Sequence, residues 1–333
     1  MKSHIFIMGA GAIGSVFGGL LVKAGHEVVL VGRKSHMDAI RKNGLRITGL
    51  LGNHHVKNLK CYTDIAAVKK KMNPTPLQAA GYSAKQIKTP FDFILLTVKA
   101  YDTENAAKII KPLVKKHTQV ISLQNGITNI DAITKHIPVQ NFIAGRVIFG
   151  VTMKKPGHVH VTVWGDDVAL GKIRAPRADI KVSQTAQMFT GAGIRTKASP
   201  VIEQIIWTKA LYNCALNPLG ALLNAPYGKL AEMPETRALI AEMLKEIYKV
   251  LKAKKVNLPR KTADAYLNHL WNTLIPPTAA HEPSMLYDLK KKKRTEIDAL
   301  NGAVVEYGGE KGIALPFNEV LSRIVKFREA KNV

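Results

Sequence analysis

The stretch His4-Ile5-Phe6-Ile7-Met8-Gly9-Ala10-Gly11-Ala12-Ile13-Gly14 joins five residues of strand type to three glycines at fixed offsets. Ile13, Phe17, Leu20, Leu21 and Ala24 then recur at helical spacing, which gives strand, glycine turn, helix. Gly9 makes the tight turn, Gly11 lets backbone approach a pyrophosphate, and Gly14 lets the helix pack closely on the strand. The helix N-terminus then faces the phosphates. Gly25 closes the helix and Val28 to Val31 form a second strand, completing the opening of a βαβ unit. The fold class that follows is α/β, with an N-terminal Rossmann domain in which Gly9, Ala10, Gly11, Ala12, Ile13 and Gly14 hold a dinucleotide.

Where the second strand ends, an NAD enzyme usually carries Asp or Glu for the ribose hydroxyls, but this chain has Gly32-Arg33-Lys34. A guanidinium pairs with a 2′-phosphate, so NADP(H) is the expected cofactor; the alternative is that Arg33 and Lys34 simply belong to a basic surface. Two further strands end in polar residues at the edge where open α/β sheets bind ligands: residues 91–98 run into Lys99, and 119–123 into Gln124-Asn125-Gly126. Residues 69–89 contain Pro74, Pro76 and Gly81 and read as a loop or short-helix excursion without assigned function. Val159, Val161 and Val163 alternate with polar residues after Pro156-Gly157, predicting a late antiparallel hairpin. His158 and His160 share one face of it, lack a third ligand, and read as ordinary strand residues; no metal site is expected.

The second half is mainly helical, with the boundary near Ser199-Pro200, so the expected domains are 1–198 and 199–333. Lys209, Asn213 and Asn217 are spaced by four, on nearly one face of a helix whose other residues include Ala210, Leu211, Cys214, Ala215 and Leu216. A surface helix shows a broader polar face, which favours a stripe lining a cleft over one facing solvent. Pro218 is expected to end or kink this helix, leaving Asn217 in its final turn. A second long helix is predicted from Ser284 to about Gly308, carrying Glu296; from pattern alone, Ser284 is an N-cap and Glu296 an exposed partner for Lys292.

With 333 residues and 46% hydrophobic content, the chain supports two domains with separate cores. Cys61 and Cys214 form neither a disulfide framework nor a zinc site, no stretch reaches the roughly 20 apolar residues of a membrane span, and a signal peptide core is cut short by glycines. A soluble cytoplasmic protein is expected. The net charge of +25 draws anions, but the lysines are scattered without interleaved aromatics, so no nucleic-acid partner is expected; the run Lys290 to Arg294 reads as a solvated helix face.

Gly9 to Gly14, Lys99, Gln124-Asn125-Gly126, the Lys209/Asn213/Asn217 stripe, Ser284-Met285-Leu286 and the run Arg294-Thr295-Glu296-Ile297-Asp298 together resemble ketopantoate reductase, 2-dehydropantoate 2-reductase. The resemblance spans most of the chain, and its last run is far more specific than the glycine turn. It implies NADPH-dependent reduction of 2-dehydropantoate to (R)-pantoate, in pantothenate and coenzyme A synthesis, on a Rossmann domain followed by an all-helical domain like that of 6-phosphogluconate dehydrogenase. By motif match it implies Lys209 as the catalytic proton donor and Glu296 as the supporting acid. Asn213, Asn217 and Ser284 match substrate-contacting positions, Lys99 and Asn125 match positions near nicotinamide and substrate, and Arg33 matches the position selecting the 2′-phosphate. The implied partner is a small 2-oxo acid, with assembly left open and a homodimer as one outcome. Two departures stand out: Pro283 replaces a frequent Ser, and 69–89 is longer than the usual link. The alternatives are a reductase of another 2-oxo acid, an opine-type dehydrogenase, or a non-enzymatic NADP-binding regulator.

Overall fold

The computed structural model describes residues 2–72, 91–174 and 179–331. Its chain forms two units, one of residues up to Gln124 with Asn129–Ile202, the other of Asn125–Thr128 with Glu203 onward.

The first unit is built on one ten-stranded sheet. Its strands are β1 (His4–Met8), β2 (Glu27–Val31), β3 (Leu45–Gly49), β4 (His54–Val56), β5 (Lys60–Tyr62), β6 (Phe93–Leu96), β7 (Gln119–Ser122), β8 (Phe142–Lys155), β9 (His158–Gly171) and β10 (Thr196–Ala198). They lie in the order β4-β3-β9-β8-β7-β6-β1-β2-β5, with β10 on β9. The run β5-β2-β1-β6-β7-β8 is parallel throughout, which is the Rossmann order with its reversal between β1 and β6. Strands buried on both faces need near-continuous apolar sequence, and Ile5, Phe6, Ile7, Ile94, Leu95 and Leu96 are wholly buried.

Helices α1 (Ala12–Lys23), α2 (Lys34–Asn43), α3 (Ile65–Met72), α4 (Thr103–Ile110), α5 (Asn129–Thr134) and α6 (Ile180–Gly191) belong to this unit. Phe17 on α1 stacks on Phe149 at 6.0 Å and meets Phe189 edge-on at 5.2 Å, tying α1 to β8 and α6. The expected excursion falls at residues 73–89 outside the described residues, and only its beginning is seen, as the end of α3. The expected hairpin is present and longer than the alternation suggested: β8 and β9 pair antiparallel through Gly157, at φ +78°. His158 Nε2 and His160 Nδ1 both meet Thr48 Oγ1, each at 2.9 Å, in the neighbouring β3.

The second unit is helical: α7 (Ile202–Leu223), α8 (Tyr227–Glu232), α9 (Pro234–Ala253), α10 (Ala263–His269), α11 (Ser284–Lys290), α12 (Asn301–Gly309) and α13 (Pro316–Ala330), with short 3-10 and π turns between them. Leu211, Leu216, Leu244, Val250, Leu270 and Val304 form its core. Glu246 of α9, 4% exposed, accepts the Phe317 and Asn318 backbone N–H groups at 3.0 Å and so caps α13 from another helix. Among the described residues no helix is long and apolar enough to cross a membrane.

The structure differs from two expectations. The helix does not end at Pro218; α7 runs through it to Leu223, leaving Asn217 in the helix interior. Proline has no N–H for the carbonyl of Cys214, and Asn301 Nδ2 donates to that carbonyl instead, at 3.2 Å. Nor is there one helix from Ser284 to Gly308, because α11 stops at Lys290 and a short 3-10 turn, Ile297–Ala299, precedes α12. Lys291 and Lys293 turn their N–H groups back to Asp288 O at 3.2 and 2.9 Å, and Lys292 adopts φ +51°. Five consecutive cations would repel along a helix, and a turn spreads them into solvent.

Candidate active site

The glycine turn is shaped by what its neighbours leave room for. Gly9 sits at φ +105°, and a Cβ there would strike the backbone of Thr97 and Val98 at the end of β6. A Cβ on Gly14 would strike Thr97 Oγ1 at 2.6 Å, the same hydroxyl that donates to Gly9 O at 2.7 Å. Gly9 and Ala10 donate their N–H groups to Val31 O at 3.0 and 2.8 Å, so the turn is fastened to the end of β2 as well. Gly11 is the N-cap of α1 with no side-chain cap, leaving the helix N-terminus open to a phosphate. A Cβ on Gly32 would press on Ala10 Cβ at 3.0 Å and Met37 Cε at 3.1 Å, so a carboxylate does not fit there without movement. Arg33 is exposed as the N-cap of α2, whereas Lys34 is engaged by Asp38 at 2.7 Å.

Beneath this turn, Gly157 N–H donates to His36 Nδ1 at 2.9 Å. The proton therefore sits on His36 Nε2, which donates to Ser15 Oγ at 2.9 Å. Burial holds the imidazole below the usual histidine range, keeping it neutral. Lys99 follows β6 in the same unit, partly exposed. Next to it, Gln124 Nε2 donates to Val98 O at 2.9 Å and to Thr103 Oγ1 at 2.7 Å, joining the ends of β6 and β7.

The second unit contains a pocket lined by Asn125, Asn213, Asn217, Ser284, Met285, Asp288, Glu296 and Leu300. Asn213 and Asn217 come from α7, as the spacing of four requires, and Lys209 one turn earlier donates from Nζ to Asn125 Oδ1 at 2.5 Å. Asn125 is held by the residues after it: Gly126, at φ +98°, leaves no space for a Cβ against Ala299, and Ile127 N–H donates to Ala299 O at 3.0 Å. That 3-10 turn follows Glu296 directly, so one contact places both Asn125 and Glu296. Ser284 is the first residue of α11, with Pro283 rather than Ser284 as N-cap. A Cβ on Gly220 would lie 2.6 Å from Pro283 Cγ, so the departure Pro283 seats α11 directly on α7 one turn beyond Asn217.

The family model described as Ketopantoate reductase PanE/ApbA matches residues 5–175, and Ketopantoate reductase PanE/ApbA C terminal matches 201–329. The chain belongs to the ketopantoate reductase PanE/ApbA family. The 2-dehydropantoate 2-reductase of Aquifex aeolicus is 36% identical over 335 residues, covering 100% of this chain and 99% of that protein. The PanE/ApbA family ketopantoate reductase from Ralstonia eutropha JMP134 superposes with a TM-score of 0.83 at 30% identity, covering 99% of both chains. A D-mandelate dehydrogenase bound to NADH and anilino(oxo)acetate gives a TM-score of 0.82 at 27% identity, again over 99% of both chains.

Within this ketopantoate reductase fold, the pocket joins Asn125, Asn213, Asn217, Ser284 and Glu296, with Lys209 attached through Asn125. Gly9 to Gly14, Arg33 and Lys99 belong to the other unit. Asp288, buried and pocket-lining, was missed by the sequence reading, although it sits four residues after Ser284 and thus on the same helix face. Thr97 was missed too, since only the pairing of β6 with β1 brings its hydroxyl to Gly9 O.

Proposed function

We propose that this protein reduces 2-dehydropantoate to (R)-pantoate with NADPH, the first unit taking the cofactor and the second the substrate. The observation that carries the reading is the Lys209–Asn125 contact at a pocket of three amides, a serine and two carboxylates. The amides and the serine hydroxyl suit a small polar acid, because they hydrogen-bond carboxylate, ketone and hydroxyl oxygens without adding charge, while the two carboxylates accept from a donor such as a substrate hydroxyl. The glycine turn fits the cofactor, as Cβ atoms on Gly9 and Gly14 would fill the space the backbone needs. Arg33 without a nearby carboxylate at position 32 supports NADPH over NADH. When bound, the nicotinamide supplies the hydride.

The rest of the chemistry falls to side chains. As negative charge grows on the ketone oxygen, Lys209 Nζ stabilises it and delivers the proton. Asn125 Oδ1 orients that ammonium. Glu296, in the lining of the same pocket, accepts from the substrate hydroxyl. Asn213, Asn217 and Ser284 bind the acid. Two buried free thiols, Cys61 and Cys214, suit a reducing cytoplasm.

A second reading, reduction of a different 2-oxo acid, is favoured by the likeness to D-mandelate dehydrogenase. Steady-state assays with NADPH and a panel of 2-oxo acids decide between them: kcat/KM should be highest for 2-dehydropantoate, and a stronger preference for another acid overturns the leading reading. Lys209→Ala should lower kcat by about 10²- to 10⁴-fold with NADPH binding largely intact. An unchanged kcat removes Lys209 from the chemistry.

A further inference from the structure

Asn217 is only 5% exposed, yet it lines the pocket, so one end of its amide must be satisfied on the side away from the substrate. That partner is Tyr227, ten residues on, whose phenol hydroxyl donates to Asn217 Oδ1 at 2.6 Å. Tyr227 is 2% exposed and does not itself line the pocket. Its ring is fixed from several sides. Tyr212 meets it edge-on at 5.5 Å and 88°, and the Tyr227 N–H donates to His281 O at 3.2 Å. The next residue, Gly228, donates to Ala279 O at 2.8 Å, with no room for a Cβ against Ala279. Tyr212 cannot compete for the same acceptor: Thr278 gives its one hydroxyl proton to Leu274 O at 2.7 Å, so the Tyr212 hydroxyl donates to Thr278 Oγ1 at 2.8 Å. Burial raises the Tyr227 phenol well above its ordinary range, so it remains a donor at any physiological pH.

We infer that Tyr227 is a positioning residue that fixes the specificity of this pocket: by occupying Asn217 Oδ1 it turns the Nδ2 donors toward the substrate, which they recognise through an acceptor oxygen. An asparagine amide offers one acceptor and one donor end, and it rotates by 180° at little cost unless something fixes it. Here the acceptor end is taken. The pocket-facing end of Asn217 therefore attracts carboxylate, ketone or hydroxyl oxygen and offers no acceptor to an ammonium. This inference rests on reading the pocket as the 2-oxo acid site.

The test is steady-state kinetics of the full-length protein with saturating NADPH. The substrates are 2-dehydropantoate and 3,3-dimethyl-2-oxobutanoate, which keeps the carboxylate, ketone and methyl groups but lacks the terminal hydroxyl. Tyr227→Phe retains the ring and its edge contact and removes only the donor. It should raise KM for 2-dehydropantoate about tenfold, with kcat within about twofold and the KM for NADPH unchanged, because a ground-state contact is lost. A rise on both substrates assigns the acceptor as carboxylate or ketone, a rise on 2-dehydropantoate alone assigns it as the hydroxyl, and each supports the inference. In an Asn217→Ala background the same change should be silent, since Tyr227 acts through Asn217. An unaltered KM in Tyr227→Phe, or a full additional rise on top of Asn217→Ala, overturns it. If Asn217→Ala itself leaves KM unchanged, the substrate assignment of the pocket is what fails.

Discussion

The proposed preference for NADPH turns on a single residue, Arg33. A Cβ on its neighbour Gly32 would lie 3.0 Å from Ala10 Cβ and 3.1 Å from Met37 Cε, so an acidic side chain for the ribose hydroxyls enters there only if these neighbours shift. Lys34 is occupied by Asp38, leaving the exposed guanidinium of Arg33 as the cation at this strand end with no ion-pair partner among the described residues. A charge-assisted contact to a 2′-phosphate contributes about 1.5–3 kcal/mol, so Arg33→Ala should raise KM for NADPH by about 10- to 100-fold and KM for NADH by less than about threefold. The ratio of the two effects is the measurement; equal effects show that Arg33 does not read the phosphate. This residue was legible in the sequence because it lies next to the strand that positions it. Asp288 was not, since whether a carboxylate four residues from Ser284 faces solvent or a pocket depends on where its helix docks.

At the scale of elements, α7 is the spine of the candidate site, and its continuity depends on a group from elsewhere. Pro218 leaves the Cys214 carbonyl without its helical donor, and Asn301 Nδ2 supplies one while also meeting Asn318 Oδ1 at 2.9 Å. Asn318 in turn donates to Met243 O at 3.1 Å and Glu246 Oε2 at 2.7 Å, so one polar network fastens α7, α9, α12 and α13. Asn301→Leu should lower stability by about 1–3 kcal/mol for each buried acceptor left unpaired, read as a lower urea midpoint of the second unit. In a Pro218→Ala background the cost should shrink, because the substituted alanine brings a backbone N–H for Cys214 O. An equal cost in both backgrounds refutes the compensation. The polar stripe on α7 was legible from its spacing of four, but proline chemistry predicts a helix end, and only a distant asparagine reverses that outcome.

For the whole molecule, an excess of 25 positive charges makes every ionised carboxylate valuable. Glu27 is held below the usual carboxylate range by its hydrogen bond from Lys2, with Lys60 beside it. At Asp298, burial is the largest influence and pushes upward, but Lys326 at 2.6 Å and Arg294 at 3.0 Å outweigh it and the net shift is downward. A carboxyl whose folded pKa lies below its unfolded value stabilises above about pH 4 and loses that contribution as pH falls further. The thermal midpoint should therefore drop steeply below about pH 4, where each added proton also adds to the self-repulsion. Asp298→Asn should lower the midpoint at pH 7 and flatten the acid limb; a limb of unchanged steepness refutes the role of this pair.

The sequence by itself determined the Rossmann βαβ beginning, the helical second half and the membership of one face by Lys209, Asn213 and Asn217. In each case the cause is local: a glycine's missing Cβ, a strand's apolar run, or the 3.6-residue period of a helix. Only the tertiary structure decided that Asn125, Ser284 and Glu296 reach that face, since they are brought there by Gly126 against Ala299 and Gly220 against Pro283. It likewise decided that the helix survives Pro218, that the Lys290 to Arg294 run breaks the next one, and which way Asn217 points. These outcomes depend on contacts between residues tens of positions apart, where packing and hydrogen bonding override the preference of the local chain.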